Sequence, residues 1–196
     1  MPRAPRVREI QIPDIIDAAL LEFQSKGYDG VRMVDIARRA RIQRSSIYRC
    51  FPSKSALLTA VNNRLFEPIH VLMISCGSLP PLEGLRRFIE AYLKFWAAHP
   101  REQEFYLMDI VKTLRNRAAW PFINARIAEM INWYDLQLWR GVQSGQFAKH
   151  DTRARATALF TAIDGCIPYI TTSKLLTIKK AVSRLDTALI ADLIIH

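Results

Sequence analysis

Cysteine and glycine are scarce in this chain of 196 residues, with three of the first and seven of the second. Cys50, Cys76 and Cys166 stand far apart with no paired spacing, which excludes a disulfide framework and a cysteine-based metal motif and suits a reducing, cytoplasmic home. So few glycines, and few runs that alternate apolar with polar residues, argue against a β-rich chain and for an all-α one. No glycine-rich loop of the kind that cradles phosphate occurs, and the four histidines (His70, His99, His150 and His196) are dispersed. No catalytic residue, metal ligand or cofactor is therefore assigned, and the chain is not read as an enzyme. Long hydrophobic runs are also missing. None follows the basic amino end, so no secretory leader is expected. The most apolar stretch, 156–170, is interrupted by Asp164, Gly165 and Pro168, which does not suit a membrane span. Acidic side chains are the minority charge: 18 against 28 basic ones, for a formal net charge of +10.

What is present is concentrated near the amino end, in the run VDIARRARIQRSSIYRCFPSK from Val34 to Lys54. It reads as a short helix, a tight turn and a second short helix. Val34, Ile36, Ala37 and Ala40 suit one small core, Ile42 falls in the turn, and Ile47 and Phe51 are four apart and so share a helix face. That leaves Gln43, Arg44, Ser45, Ser46, Tyr48 and Arg49 mainly outward. Arginine reads the O6 and N7 edge of guanine, glutamine reads adenine, and small hydroxyls approach bases or phosphates without bulk. The same spacing also fits a solvated basic helix pair in an ordinary bundle.

The flanks favour the DNA-reading arrangement. Residues 14–26 form an amphipathic helix with the stripe Ile15, Ile16, Ala19, Leu20 and Phe23; Pro13 suits its first turn and Gly27 its end. Ser53 is a natural N-cap for the next helix. The first 64 residues carry +6 and the remainder +4, so the amino end is the more basic per residue, which favours a polyanionic partner. The opening PRAPRVR reads as a frayed terminus, or as a basic arm of the kind that enters a minor groove.

Taken together, IIDAALLEFQSKGYDGVRMVDIARRARIQRSSIYRCFPSKSALLTAV resembles the amino-terminal domain of TetR/AcrR-type transcriptional regulators over about residues 13–61. Ala18-Ala19, Phe23, Gly27-Tyr28, Asp35-Ile36-Ala37, Ile47-Tyr48, Phe51, Lys54 and Leu57-Leu58 all fall in one register. The resemblance implies a dimeric repressor with a DNA-binding domain at 1–52 (recognition helix about 43–51) and a helical ligand-binding and dimerisation domain at 53–196. It implies Arg44, Ser45, Ser46 and Arg49 in the major groove, and Tyr48 and Lys54 on the phosphate backbone. Arg32 and Gln43, at the helix starts, complete the expected DNA-binding set. Four features depart from the family pattern: Arg41 stands where glycine is usual in the turn, Arg32 and Gln43 stand at helix caps that are usually Ser or Thr, and Arg49-Cys50 replaces a small His-type pair.

Further helices are expected over 53–75, 82–99, 101–115, 121–144, 152–172 and 177–195, with Pro68 kinking the first of them near Arg64. This part holds all four tryptophans, Trp96, Trp120, Trp133 and Trp139, together with other large side chains. Tyr92, Phe95, Trp96, Phe105, Met108, Met130, Trp133, Tyr134 and Asp164 are the candidates for lining a site for a small apolar or aromatic effector; Asp109 and Asp164 suit a cationic group. Aromatics at helical spacing equally make plain core. By resemblance, 152–172 and 177–195 form a homodimer seam: Ala154, Ala158, Leu159, Ala162, Ile163, Cys166 and Ile167 share one face, and Leu185, Leu189, Leu193 and Ile194 continue it. The expected function is ligand-released repression at a palindromic double-stranded DNA operator. The alternative is an activator or architectural DNA-binding protein without a ligand.

Overall fold

A computed structural model describes the backbone of residues 12–115 and 120–195 and the side chains of 12–107 and 124–195. Among the described residues the elements are α1 (Ile12–Gly30), α2 (Met33–Arg39), α3 (Arg44–Cys50), α4 (Lys54–Gly77), α5 (Pro81–Ala98), α6 (Pro100–Arg115), α7 (Trp120–Gln143), α8 (Thr152–Thr171) and α9 (Ile178–Leu189), followed by a single 3₁₀ turn, Ala191–Leu193. The all-α expectation holds. The chain divides into two compact units, one ending at Glu67 and the other beginning at Pro68. α4 runs continuously through that proline, which has no N–H to give the Arg64 carbonyl.

In the first unit, α1 is interrupted at Gly27, whose φ of 68° and ψ of 162° are not helical. Glycine tolerates that conformation at little cost, so the regular helix stops where the sequence places its end. The buried stripe of α1 is Ile15, Ala18, Ala19, Glu22 and Phe23, following the i, i+3, i+4 rule. Ile16 and Leu20, expected in that stripe, lie at its half-buried margin. Ile36 and Ala37 of α2, Ile47 of α3 and Leu57 and Val61 of α4 complete the core, with Val31 and Met33 in part of the place expected of Val34. Val34 is only half-buried, because Met33, Ile36, Ala37 and Ala40 fall at i, i+3, i+4 and i+7 on the buried face and leave Val34 at its margin. Ser53 caps α4 as expected, its hydroxyl accepting from the Ala56 N–H at 3.0 Å.

In the second unit α5, α7 and α8 pack on one another around Leu85, Phe88, Tyr92, Trp96, Tyr134, Leu138, Leu159 and Ile163, all buried. α5 approaches the end of α4 closely: a Cβ on Gly84 would lie 2.5 Å from the Cys76 carbonyl oxygen. α7 is closed at Gly145, whose φ of 74° lets the chain turn back so that the Phe147 N–H reaches the Gly141 carbonyl at 3.1 Å. Asp151 and Thr177 cap α8 and α9, accepting from the N–H groups of Ala154 and Lys180.

The final helix is shorter than expected. It ends at Leu189 rather than near Ile195, because Ile190 turns inward to full burial at a non-helical φ of −130°. The chain then pairs with the turn after α7: the Ala148 N–H donates to the Leu193 carbonyl at 2.7 Å, and the Ile195 N–H to that of Gln146 at 3.1 Å. A partner about fifty positions away satisfies the backbone there, so helical periodicity alone does not reveal the break.

Candidate nucleic-acid interface and effector site

α2 and α3 meet through a tight turn built around Arg41. After α2 the Ile42 N–H donates to the Ala37 carbonyl at 3.0 Å and the Arg41 N–H to that of Arg38 at 3.1 Å. This pair of bonds is the Schellman arrangement, which requires a left-handed residue at the position after the cap. Arg41 occupies it with φ of 57°. α3 then sits with Ile47 completely buried and Phe51 buried at its end, while Gln43, Arg44, Ser45, Tyr48 and Arg49 are exposed and Ser46 is half-buried. Two apolar anchors four residues apart thus fix the underside and leave guanidinium, hydroxyl and phenol groups on the outer face of one short helix.

The start of α2 is closed from the opposite side to the usual one. Arg32 offers no capping oxygen; instead the Asp35 carboxylate accepts from the Arg32 backbone N–H and from its Nε, both at 3.2 Å. Arg38 approaches the same carboxylate at 3.5 Å. The hydrogen bond from the Arg32 side chain is the main cause that holds the Asp35 carboxyl below its ordinary range. The exposed Arg32 side chain is therefore engaged within the head. Lys54 is engaged too. Its ammonium donates to the carbonyls of Tyr28 at 2.9 Å and Val31 at 3.0 Å and lies 4.3 Å from the centre of the Tyr28 ring. It clamps the turn between α1 and α2 to the start of α4, a role that its position in the sequence does not suggest.

Glu22 was not singled out by sequence, yet it lies in the core stripe of α1 with its carboxylate held by Lys26 and Arg39, each at 2.6 Å. Hydrogen bonds from Lys26 and then Arg39 hold its carboxyl below the ordinary value, against the upward effect of burial. The only sequence signal is an acid on the apolar side of a helix, with a basic residue four positions on.

In the second unit, Tyr92, Trp96, Phe105, Met130, Trp133 and Tyr134 are all buried, and Phe95 is half-buried against His99. Phe88 was not among the candidates, but its ring centre lies 4.3 Å from that of Trp133 and 5.7 Å from those of Tyr92 and Tyr134. Trp96 stacks on Tyr106 at 5.4 Å and meets Tyr92 edge-on at 6.1 Å. Trp133 is fixed by its indole N–H, which donates to the Met73 carbonyl at 2.9 Å. The Tyr92 hydroxyl donates to Asp164 Oδ1 at 2.9 Å. Burial pushes the Asp164 carboxyl up despite that bond, and burial together with the Asp164 charge pushes the Tyr92 and Tyr134 phenols well up. Met108, Asp109 and Trp120 lie outside the described side chains. Trp139 is exposed and belongs to no cluster described above.

The expected dimer face divides. Leu159, Ile163, Ile167, Leu185 and Leu193 are buried within the chain itself, because residues 156, 159, 163 and 167 recur at helical spacing toward α5 and α7. Ala154 and Ala158 are exposed; Ala162, Cys166, Leu189 and Ile194 are half-buried.

Residues 15–61 match the sequence profile of the bacterial regulatory proteins of the tetR family. That stretch, from α1 into α4, is of the tetR type. Among the proteins the chain is similar to are the HTH-type transcriptional regulator RutR of Escherichia coli strain K12, 26% identical over 98 residues (50% of this chain and 46% of RutR), and the HTH-type transcriptional repressor KstR of Rhodococcus jostii, 40% identical over 67 residues (34% of this chain and 30% of KstR). The chain thus spans less than half the length of these curated relatives. In three dimensions it is similar to the transcriptional regulator FadR of Bacillus subtilis in complex with stearoyl-CoA, with a TM-score of 0.74 at 21% identity over 95% of this chain and 100% of that one. This likeness is one of fold, and it takes in the second unit as well as the first. Among the described residues, no helix is long and apolar enough to cross a membrane and no group of three potential metal ligands occurs.

Proposed function

We propose that this chain is a cytoplasmic transcriptional repressor of the tetR type that binds a palindromic operator as a homodimer and is released by a small apolar or aromatic effector. One observation carries the reading: the exposed face of α3 presents Arg44, Ser45, Tyr48 and Arg49 while Ile47 beneath them is fully buried. A rigid helix of that kind, docked on a second helix, positions base-reading groups in a major groove. In this reading residues 1–52 bind DNA and 53–196 bind ligand and partner. Gln43, Arg44, Ser45, Ser46 and Arg49 face the groove, and Tyr48 and Arg32 lie by the backbone. Lys54 supports the head from within and has at most one N–H left for a phosphate.

Dimerisation through 152–172 and 177–195 is supported by the second face of α8, where Ala154, Ala158, Thr161 and Gly165 are exposed and small enough for close helix approach, with Tyr169 beside them 56% exposed. Two-fold pairing presents two copies of α3 to two half-sites. Release is a linkage effect. α4 contributes residues to both units, and an effector that binds better when α4 is displaced lowers DNA affinity by the same factor that DNA lowers effector affinity. The long acyl chain of the stearoyl-CoA held by FadR supports an effector with an apolar part for a body of this fold. Selection of bound duplexes from a random pool tests the reading. A palindromic consensus whose half-sites lie about one helical turn apart is expected; recovery of no consensus, or of a single unpaired half-site, overturns operator binding by a dimer.

A further inference from the structure

The aromatic cluster of the second unit contains one charge that nothing described there neutralises. Asp164, on α8, accepts a hydrogen bond from Tyr92 of α5, and no ion pair to it occurs among the described residues. Tyr134 of α7, whose ring packs on Phe88 and Trp133 in the same cluster, is fully buried, and its hydroxyl has no hydrogen-bond partner among the described residues. The side chain of Asp164 itself is not sealed, since the residue retains part of its exposure. Tyr92, which holds it, meets the Trp96 ring edge-on, and Trp96 in turn stacks on Tyr106. A largely buried carboxylate beside aromatic side chains and without a counter-charge is costly, and a positive group that also lies against aromatic faces removes that cost. A neutral hydrogen-bond donor such as Tyr92 relieves part of it, and an apolar neutral ligand none.

We propose that the effector is an organic cation with an apolar body, its ammonium or amidinium group paired with Asp164 and walled by Tyr92, Trp96 and Tyr134. This rests on the reading of the second unit as an effector-binding body and names the chemical class of that effector. Tyr92 is a positioning residue, holding the carboxylate by one oxygen so that the other is left to the ligand. The Tyr134 hydroxyl, without a partner among the described residues, is available to accept or donate once a polar group enters.

Matched probes on the full chain test this: benzyltrimethylammonium and its uncharged carbon isostere neopentylbenzene, followed by tryptophan fluorescence or calorimetry, on the native protein and on Asp164→Asn. The native protein is expected to prefer the cation by roughly ten- to a hundred-fold, the range that a desolvated cation–π contact and an ion pair supply together. Asp164→Asn, which keeps the shape and the Tyr92 contact, is expected to abolish that preference while leaving the isostere within about two-fold, and a thermal melt checks that the variant is folded. Equal binding of both probes to the native protein, or a preference that survives in Asp164→Asn, overturns the cationic assignment and leaves the effector-binding body standing. Binding of neither probe overturns the assignment and counts against the body as an effector site.

Discussion

Replacing Arg41 with glycine should make the protein more stable, although it deletes a side chain from the DNA-binding head. Arg41 lies at the one position of the α2–α3 turn where the Schellman bonds demand a left-handed backbone, and its φ is 57°. A side chain with a Cβ costs about 1–2 kcal/mol there, whereas glycine adopts the conformation freely and gives back about 0.5–1 kcal/mol through its greater freedom when unfolded. The Arg41 side chain is exposed and makes no ion pair or hydrogen bond among the described residues, so no packing is lost. The net gain is about 1 kcal/mol. Thermal melts of the full chain at one fixed protein concentration read it as a rise of about 2–4 °C if the chain melts as a whole, or about 4–8 °C if the head melts separately. Arg41→Ala is the matched control. It loses the same charge but keeps the strain, so it should stay near the parent while both variants lose DNA affinity equally. A glycine variant no more stable than the alanine one would refute the strain at this turn.

Three other expectations are open to measurement. Arg44→Ala should cost roughly 1–3 kcal/mol on operator DNA and relax the preference at one base position; an equal loss on every sequence would reduce Arg44 to a phosphate contact. Lys54→Met should lower the melting temperature, since two charge-assisted bonds of about 1.5–3 kcal/mol each are lost from the α1–α2 turn; an unchanged melt with a flatter salt dependence of DNA binding would place Lys54 on phosphate alone. The Glu22 carboxyl is held below its ordinary value of 4.5 in the folded state, so its contribution is complete above that pH and fades as pH falls through the lower folded value. Glu22→Gln should therefore be less stable than the parent at neutral pH, with the gap closing in acid; a gap independent of pH would sever the link to Lys26 and Arg39.

The head was largely legible from the sequence because its signals are local. The spacing of Ile47 and Phe51, Ser53 at a helix start and Gly27 at a helix end each act within one turn of chain, and the structure realises each of them. What the sequence leaves hidden depends on partners far along the chain. Glu22 is tolerated in the core because Arg39 reaches it, Lys54 is drawn inward by carbonyls more than twenty residues upstream, and α9 stops early because residues 193–195 find backbone partners at 146–148. Phe88 was missed for a different reason: its place at the centre of the ring cluster follows from how α5 meets α7, which no periodicity within α5 encodes. The split of the α8 face has the same origin, since a helix with apolar residues on two sides does not say which side stays at home.

The pairing of charges within the head has a consequence for its polyelectrolyte behaviour. Lys26 and Arg39 are committed to Glu22, Arg32 and Arg38 to Asp35, and Arg64 to Glu67 at 2.5 Å. Arg41, Arg44 and Arg49, grouped on and just before α3, have no acidic neighbour among the described residues. Counterion displacement by a two-headed assembly should then follow some six cations, giving a log–log dependence on salt of about −5. Attraction to the duplex is in effect focused on the same few ångströms of surface that would discriminate its sequence, so long-range capture and short-range reading would engage one and the same strip.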